Sequence, residues 1–277
     1  MVLRCKSIAY GLVVVGLTVA SSALAQDCTP KHKFATVEPG FITVAAVAYA
    51  PYSTIDEAGN VGGVDGDLLH AIAEAECLKV KTVPVDAAAA IQYVLSGKAD
   101  TASGDWYRTA EREKILNLSE PLYLDQMSIY SKDGWGTIAD LEGKKVGTLQ
   151  GDLWDADLKK VLGDNLSLYP TAVGLVQDLT AGRIVAFIEG AAFGAVAKSK
   201  GELKDIKIVN VASDERVKAS VGPGQGCFVI ARANTDLLEA VNATLVEMKG
   251  NGKLEAVVVK HGLPASAAQT GKASVIK

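Results

Sequence analysis

The stretch GDWYRTAER, residues 104–112, brings Asp105, Trp106, Tyr107, Arg108, Glu111 and Arg112 within nine positions. Two rings, two acids and two arginines are more polar surface than a core absorbs without a purpose. The residue with the clearest chemistry is Arg112. Its planar guanidinium can grip a carboxylate through two parallel hydrogen bonds. Inside a cleft that closes over a small ligand, loss of water strengthens that contact. The plainer alternative is a surface ion pair with Glu111 or another nearby acid, stabilising by about 1 kcal/mol at most.

Other chemistry is poorly represented. No serine stands in G-x-S-x-G, no helix carries H-E-x-x-H, and there is no C-x-x-C or Walker loop. His32, His70 and His261 are far apart and show no ligand spacing. GNVGGVDG (59–66) is glycine-rich but lacks the order of a dinucleotide fingerprint, so it reads as a turn. Neither a cofactor nor a metal is expected. The net charge of −4 and the lack of a Lys/Arg block argue against nucleic acid and anionic membrane as partners.

The elements that must position the arginine cluster alternate between strand and helix. TVAAV (43–47) reads as a buried strand. Asp65-Gly66-Asp67 offers N-caps to LLHAIAEAECLK, where Leu68, Leu69, Ile72 and Ala73 share one helical face. VKTVPV (80–85) is a strand, Asp86 can cap an alanine-rich helix that Gly97 stops, and ADTAS (99–103) is the strand leading into the cluster. In open α/β sheets, ligands bind beyond the carboxyl ends of strands, which is where GDWYRTAER lies. After the polar stretch Ser131-Lys132-Asp133-Gly134, the same rhythm runs from KKVGTL (144–149) to IKIVNV (206–211), with Asp152 able to cap the helix DLWDADLKKVL. Gly-rich GPGQG (222–226) then leads to CFVIAR and two closing helical patterns. Two α/β units follow, with breaks at 131–134 and 220–226 that look like paired connections between lobes.

The first 25 residues read separately. Arg4 and Lys6 make a basic start, Ile8–Val19 is almost wholly apolar, and Ala23-Leu24-Ala25 is a small-x-small cleavage site, which together predict a secretory signal peptide cut before Gln26. Beyond it lie Cys28, Cys77 and Cys227, an odd count that leaves at least one thiol free or paired between chains. Cys28 precedes the first strand and Cys77 ends the first helix, so both can meet at one sheet edge. They are expected to pair, with Cys227 a buried free thiol.

From about residue 39 to 263 the chain resembles the family 3 bacterial extracellular solute-binding proteins, periplasmic receptors that deliver polar amino acids to ABC importers. The resemblance rests on AYAPYSTIDEAGNVGGVDGDLLHAIAE, LSGKAD, RTAEREKILNLSEPLY, LEGKKVGTLQG, DLTAGRI and LLEAVNATLVEMKGNGKLEAVVVKHG, in the family's order and near-family spacing. It implies an α/β, two-lobed periplasmic-binding-protein-like (type II) fold with two crossover hinge strands, at 128–132 and 220–226. Lobe 1 would be 39–130 plus 226–263, lobe 2 would be 132–222, and 264–277 would be a tail. The implied partners are a small amino-acid-like ligand and a membrane permease, with the receptor a monomer.

Carried over residue by residue, the resemblance puts Arg112 on the ligand carboxylate and Tyr49 over the ligand, with Tyr52 either a second ring or packing. Gly104 and Tyr107 take positions that offer backbone and hydroxyl groups. In lobe 2 the family's Gly-Thr-Thr is Gly151-Asp152-Leu153 here, with Asp152 read as a helix cap. The family's amine-binding aspartate is Gly190 here; Glu189 is adjacent, and alternation puts its side chain on the far strand face. Asp105 stands where the family often has Ser or Thr near the amine, so it is expected to take a ligand cation, the plainer roles being a helix cap or an ion pair with Arg108. The alternative function on the same scaffold is a cyclohexadienyl-dehydratase-like enzyme with Glu189 or Asp105 as proton donor.

Overall fold

The computed structural model describes residues 28–199 and 201–277; the signal-peptide reading of residues 1–25 lies outside them. The first lobe starts with β1 (Phe41–Ala46), the hairpin β2 (Thr54–Ile55) and β3 (Val61–Gly62), and α1 (Gly63–Ala75). It continues through β4 (Lys79–Pro84), α2 (Ala87–Leu95), β5 (Thr101–Ser103), α3 (Ala110–Ile115) and β6 (Leu116–Leu118). The chain leaves through β7 (Leu124–Asp125). It then builds β8 (Met127–Ser131), β9 (Val146–Leu149), α4 (Asp155–Leu162), β10 (Leu166–Tyr169), α5 (Ala172–Thr180), β11 (Ala186–Gly190), α6 (Phe193–Ser199) and β12 (Lys207–Asn210). It returns through β13 (Gly224–Gln225) to β14 (Val229–Ala231), α7 (Thr235–Gly250) and α8 (Lys253–Lys260).

Two five-stranded sheets result, ordered β4-β1-β5-β14-β6 and β10-β9-β11-β8-β12. In the first, β1 is parallel to β4 and β5, while β14 runs antiparallel between β5 and β6. In the second, β9 is parallel to β10 and β11, and β8 runs antiparallel between β11 and β12. The crossing strands β7 and β13 pair with each other, Asp125 opposite Gly224. The crossing therefore falls at 124–125, not at the expected 128–132. Met127–Ser131 is buried at all five positions and paired on both sides, so it is an inner strand of the second sheet. The polar stretch after it is only a turn, in which Ser131 Oγ accepts from the N–H groups of Gly134 and Trp135.

Each sheet buries its own helices. Leu68, Leu69, Ile72 and Ala73 of α1 pack with Ile42, Val44, Phe228 and Ile230 of the first sheet and with Leu237, Val241 and Leu245 of α7. Asp86 caps α2, its Oδ1 accepting from Ala89 N–H at 2.8 Å. Two other expected caps do not cap. α1 starts at Gly63 with no side-chain cap, and Asp65 points inward while Asp67 pairs with Lys260 and His261. Gly63 must be glycine, since its φ is +78° and a Cβ there would meet the Tyr52 carbonyl oxygen at 2.5 Å.

Two segments fasten the edges. A disulfide joins Cys28 to Cys77 at the end of α1, and Cys227 is free and buried. Residues 264–277, expected as a tail, run as a strap over the crossing strands. Gln225 Nε2 donates to the carbonyls of Thr270 and Lys272, Ser274 N–H donates back to Gln225 Oε1, and Ile276 is bridged to Thr109. Among the described residues no helix is long and apolar enough to cross a membrane.

Candidate functional site

β1 and β5 both end at the cleft between the lobes. Beyond β5 the backbone takes two left-handed residues in succession, Gly104 (φ +132°) and Asp105 (φ +57°). Asp65 holds this turn: its Oδ2 accepts from Gly104 N–H at 2.8 Å and Asp105 N–H at 3.4 Å, and its Oδ1 from Tyr123 Oη at 2.8 Å. The turn carries Asp105 to the cleft and leads through Tyr107 into α3, which Thr109 caps by accepting from Arg112 N–H at 3.1 Å.

Arg112 reaches the same cleft. Its guanidinium lies 4.9 Å over the Trp106 ring and donates from Nη1 to the Tyr107 carbonyl at 2.6 Å. Among the described residues no carboxylate forms an ion pair with it, so the surface pair with Glu111 is not made. Arg108 turns the other way and spends its donors on the carbonyls of Leu118, Ser119 and Ser274. Neither the Arg108 pair nor the helix cap is thus open to Asp105, whose Oδ1 is buried without a hydrogen-bond partner.

A cavity of about 500 Å³ is lined by Tyr49, Gly104, Asp105, Tyr107 and Arg112 from one side and by Gly151, Asp152 and Leu153 from the other. Tyr49 separates it from a wider opening of about 900 Å³ that Thr54, Ile55 and α5 line. Two of the residues expected at the ligand do not line the 500 Å³ cavity. Tyr52 is fully buried and stacks on Tyr123 at 4.5 Å, so it packs beneath Tyr49. Glu189 is fully buried too, but not on a far face. Pairing of β9 with β11 stops at Phe187, the strands splay, and the Glu189 carboxyl fills the gap. There it accepts from Leu149 N–H at 2.8 Å and from Tyr49 Oη at 2.9 Å, joining the two lobes.

Asp152 is not a cap. α4 begins only at Asp155, and the Asp152 carboxyl instead accepts from Thr148 Oγ1 at 3.1 Å and hydrogen-bonds to Glu189. The reason is local: Gly151 (φ +101°) turns the chain and gives its N–H to Asp155, which leaves Asp152 aimed into the cleft. Sequence reasoning missed Asp65, Trp106 and Asp125. The last is 3% exposed, accepts from Tyr107 Oη at 2.9 Å and Ala191 N–H at 3.0 Å, and lies against Asp105. A signal for Trp106 was available, since it sits inside the cluster that drew attention to Arg112.

The site is thus rich in carboxyls and poor in cations. Burial is the first cause of raised pKa values at Asp65 (about 6), Asp152 (about 7) and Asp155 (about 6), and at Asp105, Asp125 and Glu189; Asp155 adds to the rise at Asp152. Between about pH 4 and 7 the folded protein therefore binds more protons than the unfolded chain, so ligand-free stability falls as pH rises through that window. One pKa unit corresponds to about 1.4 kcal/mol. The ligand-free protein is expected to melt at a higher temperature at pH 5 than at pH 7.5, and Asp152→Asn to flatten that difference. Melting curves with the same pH slope in both proteins would remove Asp152 as its source.

Comparison with known proteins adds four findings. The sequence pattern of the bacterial extracellular solute-binding proteins, family 3, matches residues 42–264. The chain is 29% identical over 227 residues to the histidine-binding periplasmic protein of Salmonella typhimurium, covering 77% of this chain and 84% of the relative. It is 28% identical over 265 residues to the lysine/arginine/ornithine-binding periplasmic protein of Escherichia coli, covering 92% and 96%. Its fold superimposes on an ancestral arginine-binding protein bound to arginine with a TM-score of 0.69 at 29% identity, covering 80% of this chain and 98% of the other.

Proposed function

Because this chain belongs to the bacterial extracellular solute-binding proteins, family 3, we propose that it captures an amino acid or related small zwitterionic solute in the periplasm and delivers it to the permease of an ABC importer. It acts as a monomer after signal-peptide removal before Gln26. The observation that carries this reading is the division of charge in the cleft. Arg112, with no ion-pair partner among the described residues, lines a cavity of about 500 Å³ that Asp105 and Asp152 also line. A guanidinium reads a carboxylate, and unpaired carboxyls read an ammonium or guanidinium. The excess of acids favours a ligand with net positive charge. The relatives, whose names give them basic amino acids and the periplasm, support the same class and compartment.

The two lobes connect through β7 and β13, and hinge closure about such strands is how receptors of this shape enclose a ligand. Calorimetric titration with L-arginine, L-lysine, L-histidine and L-glutamate is expected to show binding of at least one basic amino acid and none of glutamate. Small-angle scattering is expected to show a smaller radius with the bound one. Tight binding of glutamate, or no binding of any basic amino acid, would overturn the charge assignment. A dehydratase reading is less well supported, because of its two candidate proton donors Glu189 is buried behind Tyr49 and does not line the cavity, which leaves Asp105 alone. Incubation with prephenate tests it directly, and its consumption would restore that reading.

A further inference from the structure

Asp125 does not line the 500 Å³ cavity, yet its surroundings are specific. It lies at the end of the crossing strand β7 and is held from both lobes, by Tyr107 Oη of the first and by Ala191 N–H of the second. A Cβ added at Gly190 would collide with Asp125 Oδ2 and stand 3.2 Å from Tyr49 Oη. Gly190 has no positive φ, so conformational freedom does not explain the glycine; room for the Asp125 carboxyl does. One further polar atom there lacks a partner, Asp105 Oδ1, and the hydroxyl of fully buried Tyr52 faces the two acids.

We propose that Asp105 and Asp125 form one cation subsite at the hinge, in which Asp105 meets a ligand ammonium directly, Asp125 supplies the second carboxyl behind it, and Gly190 leaves the space that Asp125 fills. Asp125 sets specificity as a positioning residue, and the subsite rests on the ligand class proposed above. In the free protein burial, with the neighbouring carboxyls of Asp125 and Asp65, raises Asp105 well above the usual carboxylate range, so a proton stays on the pair. Burial raises Asp125 as well, and hydrogen bonds donated to it, that of Tyr107 among them, partly offset the rise. The groups facing the pair are Asp65 of α1, Arg112 of α3, Tyr49, Tyr52, Tyr107 and Tyr123, with Glu189 and Asp152 across the cleft. Arg112 is the cation that acts on Asp105, lowering its pKa, and it is the group assigned to the ligand carboxylate. An arriving ammonium takes the place of the shared proton, which leaves to solvent. Affinity therefore rises with pH until Asp105 of the free protein ionises.

The test compares L-arginine with 5-guanidinopentanoic acid, which lacks only the α-ammonium, by calorimetry on the wild type, Asp125→Asn and Gly190→Ala. Losing the ammonium is expected to weaken wild-type binding about 30-fold or more, and to cost about tenfold or less in either variant, where Asp105 meets the ammonium without a well-placed second carboxyl. Wild-type titrations with L-arginine in two buffers of different ionisation heat are expected to show proton release, which Asp125→Asn reduces. A merely structural Asp125 would not move that proton count. If the wild type binds arginine without releasing protons, or if losing the ammonium costs the same in every protein, the subsite is wrong while the receptor reading stands. If the wild type binds neither probe and neither L-lysine nor L-histidine, the ligand class fails first and the subsite with it.

Discussion

Arg112→Ala is expected to abolish high-affinity binding of a basic amino acid while leaving the protein folded. Its side chain has few internal obligations, one bond to the Tyr107 carbonyl and stacking on Trp106, and it lines the cavity without an acidic partner among the described residues. Truncating one member of a buried ligand–protein charge pair costs roughly 2–5 kcal/mol, about 30-fold or more in affinity, largely because the ligand carboxylate is left enclosed and unpaired. Arg112→Lys is expected to recover little, since an ammonium lacks the two-pronged planar geometry. Titration with L-arginine, beside a melting curve, separates binding from folding. A variant that keeps its melting temperature and binds within threefold of the wild type would show that the carboxylate is held elsewhere.

The second large effect concerns the Cys28–Cys77 bond, which closes a loop with a sequence separation of 49. A cross-link of that span stabilises by about 4 kcal/mol through the lost freedom of the unfolded chain. The bond lies at the start of the first sheet, whereas the cleft lies beyond the carboxyl ends of β1 and β5. The Cys28→Ser, Cys77→Ser double variant should therefore lose about that much stability in urea denaturation and keep its affinity. A loss below about 1 kcal/mol would mean that the segment preceding β1 is fixed by other contacts, such as His32 with Glu76. Among the described residues reduction should act only on this pair, because Cys227 is a free thiol with no bond to reduce.

What the sequence made legible, and what it did not, follows from the range of the forces involved. The buried face of α1 could be read from Leu68, Leu69, Ile72 and Ala73 because helical periodicity is local. The capping role of Asp86 could be read for the same reason, since its partner is three residues away. Asp65 and Asp152 carry the same local signature and do something else. Asp65 is claimed by the N–H of Gly104, 39 positions on, and Asp152 by Glu189 on a neighbouring strand. The position of the hinge was obscured because the polar turn after Ser131 is more conspicuous than a two-residue crossing strand. Glu189 was misplaced by strict alternation, which holds only while β9 and β11 stay paired. Asp125 could not be found at all from its own neighbourhood. Its significance is set by an absent side chain at Gly190 and a backbone amide 66 positions away.

The strap of residues 264–277 has an optical use. Through Gln225 it is tied to one crossing strand, and through Arg108 to the residue beside Tyr107. A fluorophore on the strap thus rides on the moving joint while staying clear of the cavity wall. Lys272 is exposed, and the free thiol of Cys227 is too buried and too weakly acidic to compete for a thiol-reactive dye. Lys272→Cys therefore offers a single labelling point, and with it a reagentless sensor whose signal is the bending of the joint itself.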